Sequence, residues 1–563
     1  MADKNNTDVV LGKVVGVNGR GVATAMFGHN QARTDVLASR VYRTLSPLKL
    51  FRRSLVEKHG LRFPTEYRVY EDQLFVARGY FLADGISVVA DYDCLFVVKR
   101  DDGGNITSAT TDIDRRIEAQ EALIELVAEH FPAGPDRDKL TERHIAVDMG
   151  DVLKDLVLEP DDELRRAHYA KLRTVLERHC SDALTQRLAP LARLRCALAL
   201  RGMLDESVEL EAEVRREAAS GVQHGILVDG ERAYARLPFF RDPERDLPDE
   251  IYEITGGIPS AHRLDSVELA PGTGRLTLRG HGYLRRMPQD DTGIELLLRE
   301  RKSGAEHRFP TTRITVPGLG EDQDGGGYDY SGAGFIAEID LTTAAGDGTR
   351  LPRGLWDAFL AVRVQGLTRE IRIGNQRLPE VVSTQRTYVV ADGDDDIFGV
   401  ALYYTHPYSN LTVDVGENVH KVPDKLRIKG ARWAQGKTGI LEVFGDLRFA
   451  APPAGTLGVE LRDEAGRTVA VPGVVDGGTF SVAVPVHRLA LGTWRLAVVL
   501  TAGDGVARWT WRVPAQPRLP GGRWRHRGLP TYAKPIEDDG LVLRVGRVAV
   551  AKALARRVKR LLP

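Results

Sequence analysis

The sequence predicts a multidomain chain of class α/β, then α, then β. Three observations carry this. Two β-branched apolar runs, DVVLGKVVGV (8–17) and ISVVADYDCLFVV (86–98), bracket helical stretches before residue 110. From about 111 to 218 the apolar residues recur near the 3.6 spacing of helices. After about 222, short alternating runs separated by Gly, Pro and Asp clusters give the pattern of β-sandwiches.

Residues 8–17 read as a buried strand, followed by the Gly-punctuated loop NGRGVATAMF. VYRTLSPLKLFRRSLVEKHG (41–60) reads as a short strand or turn, then a helix closed by Gly60. Residues 73–83 fit a helix with Leu74, Ala77 and Phe81 on one side, and 86–98 returns to strand. In the helical region Ile113, Ile117, Ile124 and Phe131 share a face, and Thr111-x-x-Asp114 resembles a variant capping box. Helical stretches continue through HIAVDMGDVLKDLVL, ELRRAHYAKLRTVLERH and LARLRCALALRGMLDESVELEAEVRREAA.

The β region repeats itself. GRLTLRGHGYL (274–284) matches GILEVFGDLRF (439–449), and GIELLLRE (293–300) matches GVELRDEA (458–465). GLWDAFLAVRV (354–364) matches GTWRLAVVLTA (492–502), which sets Trp356 against Trp494. Two copies of one sandwich account for this; the paired tryptophans serve either as core or as a platform for stacking sugars. The domains are therefore drawn at 1–110 (α/β), 111–221 (helical linker), 222–418 (first sandwich with a leading β segment), 419–532 (second sandwich) and 533–563 (a basic tail).

Composition excludes several classes. In 563 residues Lys+Arg and Asp+Glu are 78 each, so no global field points to nucleic acid. Three widely spaced cysteines and a polar N-terminus, MADKNNTDVV, give neither a disulfide framework nor a signal peptide. No window is long and apolar enough to span a bilayer as a helix, and the compartment is read as cytoplasmic. Residues 541–563, LVLRVGRVAVAKALARRVKRLLP, hold seven basic residues and no acid. Val550, Leu554, Val558, Leu561 and Leu562 fall opposite Lys552, Arg556, Lys559 and Arg560 on a helical wheel. This predicts an amphipathic helix, lying on the inner face of an anionic membrane or packed on the last sandwich.

One local feature stands out. In FPTEYRVYEDQLFVARGYF (63–81), Glu71 and Asp72 sit side by side among Tyr, Phe, Val and Leu. An Asp there can cap a helix, because its oxygen accepts an orphan backbone N–H. Its setting adds a second role: GRGVATAMF, VYRTLSPLKLFRR, HGLRFP, YEDQLFV and ISVVADYDCLFVVKRDDGGNITS follow in that order. The run resembles the acceptor half of a family 2 glycosyltransferase of GT-A fold, of the kind that attaches sugars to wall teichoic acid, poly(ribitol phosphate). The likeness covers 8–110 by motif and the remainder by layout.

The resemblance implies that Asp72 is the general base of an inverting transfer from a nucleotide sugar to a hydroxyl of an anionic cell-envelope glycopolymer, and that Glu71 orients nearby groups. It implies that KRDDGGNITS (99–108) closes over the nucleotide diphosphate, with Arg100 on phosphate and Asn105 and Ser108 adding hydrogen bonds; DDGG alone is also ordinary turn chemistry. Lys49 faces donor, acceptor or solvent. Mg2+ or Mn2+ is implied for the complete fold, held by a DxD-type motif. That motif and the nucleotide-binding βα units, on the order of 100 residues, would precede the first strand, so Met1 is read as an internal methionine of a longer frame. ADGDDDIFG (391–399) lies among sandwich strands and is not the metal motif, and EDQDGGGYDY (321–330) is read as a flexible acidic loop. The family also implies a homotrimer held through the β-domains. The competing class is a non-catalytic envelope-polymer-binding or oligomerisation protein, or a fragment without a donor site.

Overall fold

The computed structural model describes residues 1–99, 112–289, 291–436, 438–502, 506–536 and 538–548. The chain divides into two compact units. The first holds residues 1–259 with the short segments 285–288 and 320–329; the second holds the rest. Among the described residues no helix is long and apolar enough to cross a membrane.

The first unit begins with a four-stranded sheet. Strands β1 (Val9–Val17), β2 (Gln31–Thr34), β3 (Leu50–Phe51) and β4 (Ile86–Val98) lie in the order β2-β4-β1-β3. β1 and β4 run parallel, joined by a long crossover, and the pairing slips at Gly12 and Lys13. Helix α1 (Arg53–Lys58) ends at His59, with Gly60 in the left-handed region at φ 58°. Helix α2 (Glu71–Leu82) buries Leu74, Phe75, Val76, Ala77, Gly79 and Tyr80, so it is covered on nearly all sides rather than on one stripe. Its residues share a core with Val9, Leu11 and Val88 of the sheet and with Leu123, Leu126, Val127 and Leu140 of the helices that follow.

Those helices are α3 (Ile113–His130), α4 (Pro135–Arg143), α5 (Gly150–Leu156), α6 (Asp162–His179), α7 (Asp182–Arg187), α8 (Pro190–Leu200) and α9 (Leu204–Ser220). Asp112 caps α3: its side chain accepts from Arg115 N; Thr111, expected to open a capping box, lies outside the described residues. A π-helical turn, His144–Met149, joins α4 to α5 and turns both His144 and Asp148 inward. A hairpin of β5 (Ile226–Asp229) and β6 (Arg232–Ala235) ends this stretch. The acidic segment 321–330 is packed rather than loose: buried Asp324 takes a two-pronged ion pair from Arg285, at 2.5 and 3.2 Å.

In the second unit the repeat is complete strand for strand. The first copy comprises β7 (Ser260–Leu269), β8 (Arg275–Leu284), β9 (Gly293–Glu300), β10 (Glu306–Pro310), β11 (Thr312–Ile314), β12 (Gly334–Asp340), β13 (Gly354–Val364), β14 (Leu367–Arg372), β15 (Arg386–Asp392), β16 (Asp396–Tyr404) and β17 (Leu411–Val415). They form one sheet β11-β12-β8-β7 and another β10-β9-β13-β17-β16-β15, with β14 on β13. The second copy follows as β18 (Leu426–Trp433), β19 (Leu441–Leu447), β20 (Thr456–Asp463), β21 (Thr468–Pro472), β22 (Val474–Asp476), β23 (Thr479–Val484), β24 (Gly492–Ala502), β25 (Val506–Arg512), β26 (Gly522–His526), β27 (Leu529–Ile536) and β28 (Val542–Arg547). Its sheets are β18-β19-β23-β22 and β21-β20-β24-β28-β27-β26, with β25 on β24.

Trp356 and Trp494 are core residues, 1% and 2% exposed. Each indole N–H donates to the carbonyl four residues earlier, Pro352 O at 2.8 Å and Ala490 O at 2.9 Å. No face is left for stacking a sugar. ADGDDDIFG is the turn between β15 and β16, and Asp396 is tied to Arg350 and Arg508.

The basic tail needs correction. Residues 529–536 and 542–547 are the closing strands of the second copy, so the sandwich runs to 547 and does not end at 532. Alternation decides this: Val542, Leu543 and Val545 are buried while Arg544 and Arg547 point out. The remainder of the amphipathic segment, 549–563, lies outside the described residues.

Candidate active site

A cleft of about 340 Å³ opens between the edge of β1, the loop after it, the segment 43–49 and the start of α2. Arg20, Arg43, Lys49, Asp72, Gln73 and Arg143 line it with polar groups. Asp72 is thus in a cleft, and among the described residues it is the one carboxylate in the lining. Glu71, its neighbour, is not part of the lining.

The local backbone aims Asp72. Tyr70 takes a left-handed conformation (φ 68°) and forms the helix boundary, so Glu71 and Asp72 are the first two helical residues. Asp72 is therefore not the cap. Its Oδ1 accepts from Gln73 N at 2.8 Å inside the first turn, where free N–H groups favour negative charge. Burial pushes the Asp72 carboxyl above its ordinary range, and the charge of Glu71 pushes the same way. The backbone bonds and Lys49 oppose this.

Lys49 faces the cleft and not bulk solvent. Its ammonium donates to Ser46 O and stands 5.7 Å from the Tyr80 ring centroid. Burial pulls it down to about 7; Asp72 resists the fall and Arg143 assists it. At neutral pH the lysine is poised between charged and neutral.

Arg143 comes from the helical segment and is the residue sequence reasoning missed most plainly. Its Nη1 donates to Gln73 Oε1 at 3.0 Å and to Asp148 Oδ2 at 2.6 Å. Behind it, His144 Nδ1–H donates to the same Asp148 oxygen at 3.1 Å, and Tyr42 Oη donates to His144 Nε2 at 2.9 Å. This tautomer is assigned from the network. Burial holds His144 below its usual value, hence neutral, and holds the Tyr42 phenol high. Arg43, also in the lining, pairs with Glu142 at 2.9 Å. Gln73 was legible as the residue after Asp72; Arg20 and Arg43 lie inside runs that carry the resemblance but were not singled out, and Arg143 carries no local motif.

Arg100, Asn105 and Ser108, expected on the nucleotide loop, lie outside the described residues. Beside the cleft, the second half of β4 leaves Tyr92, Phe96 and Val98 open to solvent, next to an apolar recess formed by Val10, Leu48, Leu50, Val89 and Leu95.

The cleft residues do not fit Mg2+ or Mn2+. Such ions take about six oxygen ligands, whereas among the described residues a single carboxylate faces four basic side chains. What this lining suits is an anion with a hydroxyl near Asp72.

Comparison with known proteins finds similarity to poly(ribitol-phosphate) glycosyltransferases. Residues 117–211 match the family described as the glycosyl transferase TarS linker domain, and residues 253–415 match TarS beta-glycosyltransferase C-terminal domain 1. The chain thus carries TarS-type domains after its α/β segment. It is similar to the poly(ribitol-phosphate) beta-glucosyltransferase of Bacillus spizizenii, 25% identical over 430 residues that make up 74% of this chain and 62% of that protein. A stretch of 107 residues is 40% identical to the poly(ribitol-phosphate) beta-N-acetylglucosaminyltransferase TarS of Staphylococcus aureus, covering 19% of this chain and 18% of that one. The crystal structure of S. aureus TarS aligns over 91% of this chain and 80% of its own, at 15% identity and a TM-score of 0.44. The chain spans about three fifths of the length of the Bacillus relative.

Proposed function

We propose that the cleft is the acceptor side of a GT-A glycosyltransferase that modifies poly(ribitol phosphate) or a similar anionic glycopolymer with inversion at the anomeric carbon. The observation that carries this is Asp72, the one carboxylate among the described residues of a cationic cleft, with its proton affinity raised. Asp72 takes the proton of an acceptor hydroxyl as that oxygen attacks the anomeric carbon of a nucleotide sugar; the nucleoside diphosphate leaves with the bonding pair. Glu71 contributes by making Asp72 more basic. Arg143, Arg43 and Lys49 hold acceptor phosphates, so the polymer hydroxyl is presented at Asp72. Mg2+ or Mn2+ enters this reading only with a donor site formed outside the described cleft.

The test couples binding to turnover. Calorimetry with poly(ribitol phosphate) fragments should show binding that Arg143→Ala weakens at least tenfold and Asp72→Asn preserves. With a UDP- or CDP-sugar added, Asp72→Asn should abolish transfer; transfer at the wild-type rate removes Asp72 from the base role. The same cations also suit a polymer-binding protein without turnover. Polymer binding with no nucleotide-sugar affinity selects that second reading.

The family reading also carries a location at the inner face of the membrane and a trimer built through the sandwiches. Sedimentation velocity tests the trimer. Flotation with anionic vesicles, with and without residues 549–563, tests the membrane contact.

A further inference from the structure

Away from the cleft, two helices of the first unit bring three metal-ligating side chains together. Glu121 and Glu125 stand one turn apart on α3, and His179 is the last residue of α6. One donor atom from each lies within 4.8 Å of the other two. The His179 side chain is only 6% exposed, yet neither ring nitrogen has a hydrogen-bond partner. Its Nε2 points at Glu121 Oε1 across 3.6 Å, too far for a hydrogen bond. A buried imidazole with both nitrogens unsatisfied is costly unless something else meets it.

We propose that Glu121, Glu125 and His179 form a binding site for a first-row divalent transition metal, with Zn2+ as the best match. One imidazole and two carboxylates are a donor set that Zn2+ accepts, with water completing the shell. In a tetrahedral zinc site adjacent donors stand about 3.3 Å apart, so the donors must draw in by roughly an ångström. The exposed Glu125 side chain has the freedom to do this.

One group competes. Arg178 donates to Glu121 Oε1, and its side chain is 55% exposed. A solvated ion pair of this kind is worth little, so Arg178 yields to a metal. The bound ion would fasten the end of α6 to the middle of α3, two helices whose apolar faces meet through Ile117, Ile124, Leu172 and Leu176 in one core. The site is structural, and it is independent of the cleft and its chemistry.

The experiment titrates the full chain with Zn2+ in a non-chelating buffer. One ion per chain should bind at micromolar or tighter affinity, be stripped by EDTA, and raise the melting temperature by several degrees. Co2+ in its place should give visible d–d bands. Glu125→Gln, an exposed change that leaves the fold intact, and His179→Ala should each weaken binding at least tenfold. Asp72→Asn should leave it unchanged. No Zn2+ binding, or binding indifferent to Glu125→Gln and His179→Ala, overturns the proposal. Loss of binding in Cys180→Ser with retention in Glu125→Gln overturns it equally, by assigning the ion to the thiol.

Discussion

Arg143 Nη1 donates to Asp148 Oδ2 at 2.6 Å, and both side chains are nearly withdrawn from solvent. That bond lets a buried network in the helical segment hold a cation on the rim of the cleft. The two parts of the first unit therefore build one site.

Removing Asp148 should be costly. Asp148→Ala leaves the largely buried Arg143 without its carboxylate and strips His144 of an acceptor, a loss of about 3–5 kcal/mol for a broken buried pair. Urea unfolding followed by the helical circular-dichroism signal measures it, because every tryptophan of the chain lies beyond residue 259. A change below about 1 kcal/mol would show that the network is solvated in solution.

Lys49 gives a pH signature. Its folded value, about 7, lies below its ordinary 10.5, so between these the unfolded chain binds more protons. Its contribution to stability is therefore unfavourable below about 7 and improves as pH rises from there toward 10.5. An anion in the cleft favours the ammonium and draws a proton in. At pH 8 polymer binding should take up close to one proton, read from calorimetry in buffers of different ionisation enthalpy. Lys49→Met should abolish the uptake.

Asp72 should trade stability for function. A carboxyl whose folded value is raised contributes stability present at acid pH and lost as pH climbs through that value. At pH 7 the charge is a burden on the fold. Asp72→Asn keeps the acceptor for Gln73 N and removes the burden, so its melting temperature should equal or exceed that of the parent. A fall of several degrees would mean that Asp72 is there to hold the helix.

The two sandwiches predict matched mutants. In each copy the first strand bulges, between Leu264 and Ser266 and between Ile428 and Gly430. Opposite each bulge is a glycine, Gly280 or Gly445, where a Cβ would stand 2.1 Å from Arg263 O or 2.2 Å from Arg427 O. Gly280→Ala and Gly445→Ala should each destabilise their copy by about 1–3 kcal/mol, in denaturant melts. A neutral result at one site alone would show that its bulge is not rigid.

The repeat was legible because strand alternation and the paired tryptophans are local signals that recur in the same order in both copies. Glu71–Asp72 was legible because two charges interrupt an apolar run. The capping role given to Asp72 was not correct, since the left-handed turn at Tyr70 shifts the helix start by a residue or two and no propensity marks that turn. The tail was misread at 541–547 because basic residues at alternate positions suit an amphipathic helix and an outward strand face alike; pairing with β27 decides between them.

By itself the sequence determined the class, the doubled sandwich and the carboxylate at position 72, because each is written in the spacing of neighbouring residues. Only the tertiary structure decided what surrounds that carboxylate. Arg143, Arg43 and Lys49 reach it through packing of segments far apart in the chain, and His179 meets Glu121 and Glu125 across two helices. Charge and metal affinity act through space over a few ångströms, and no one-dimensional pattern records those distances.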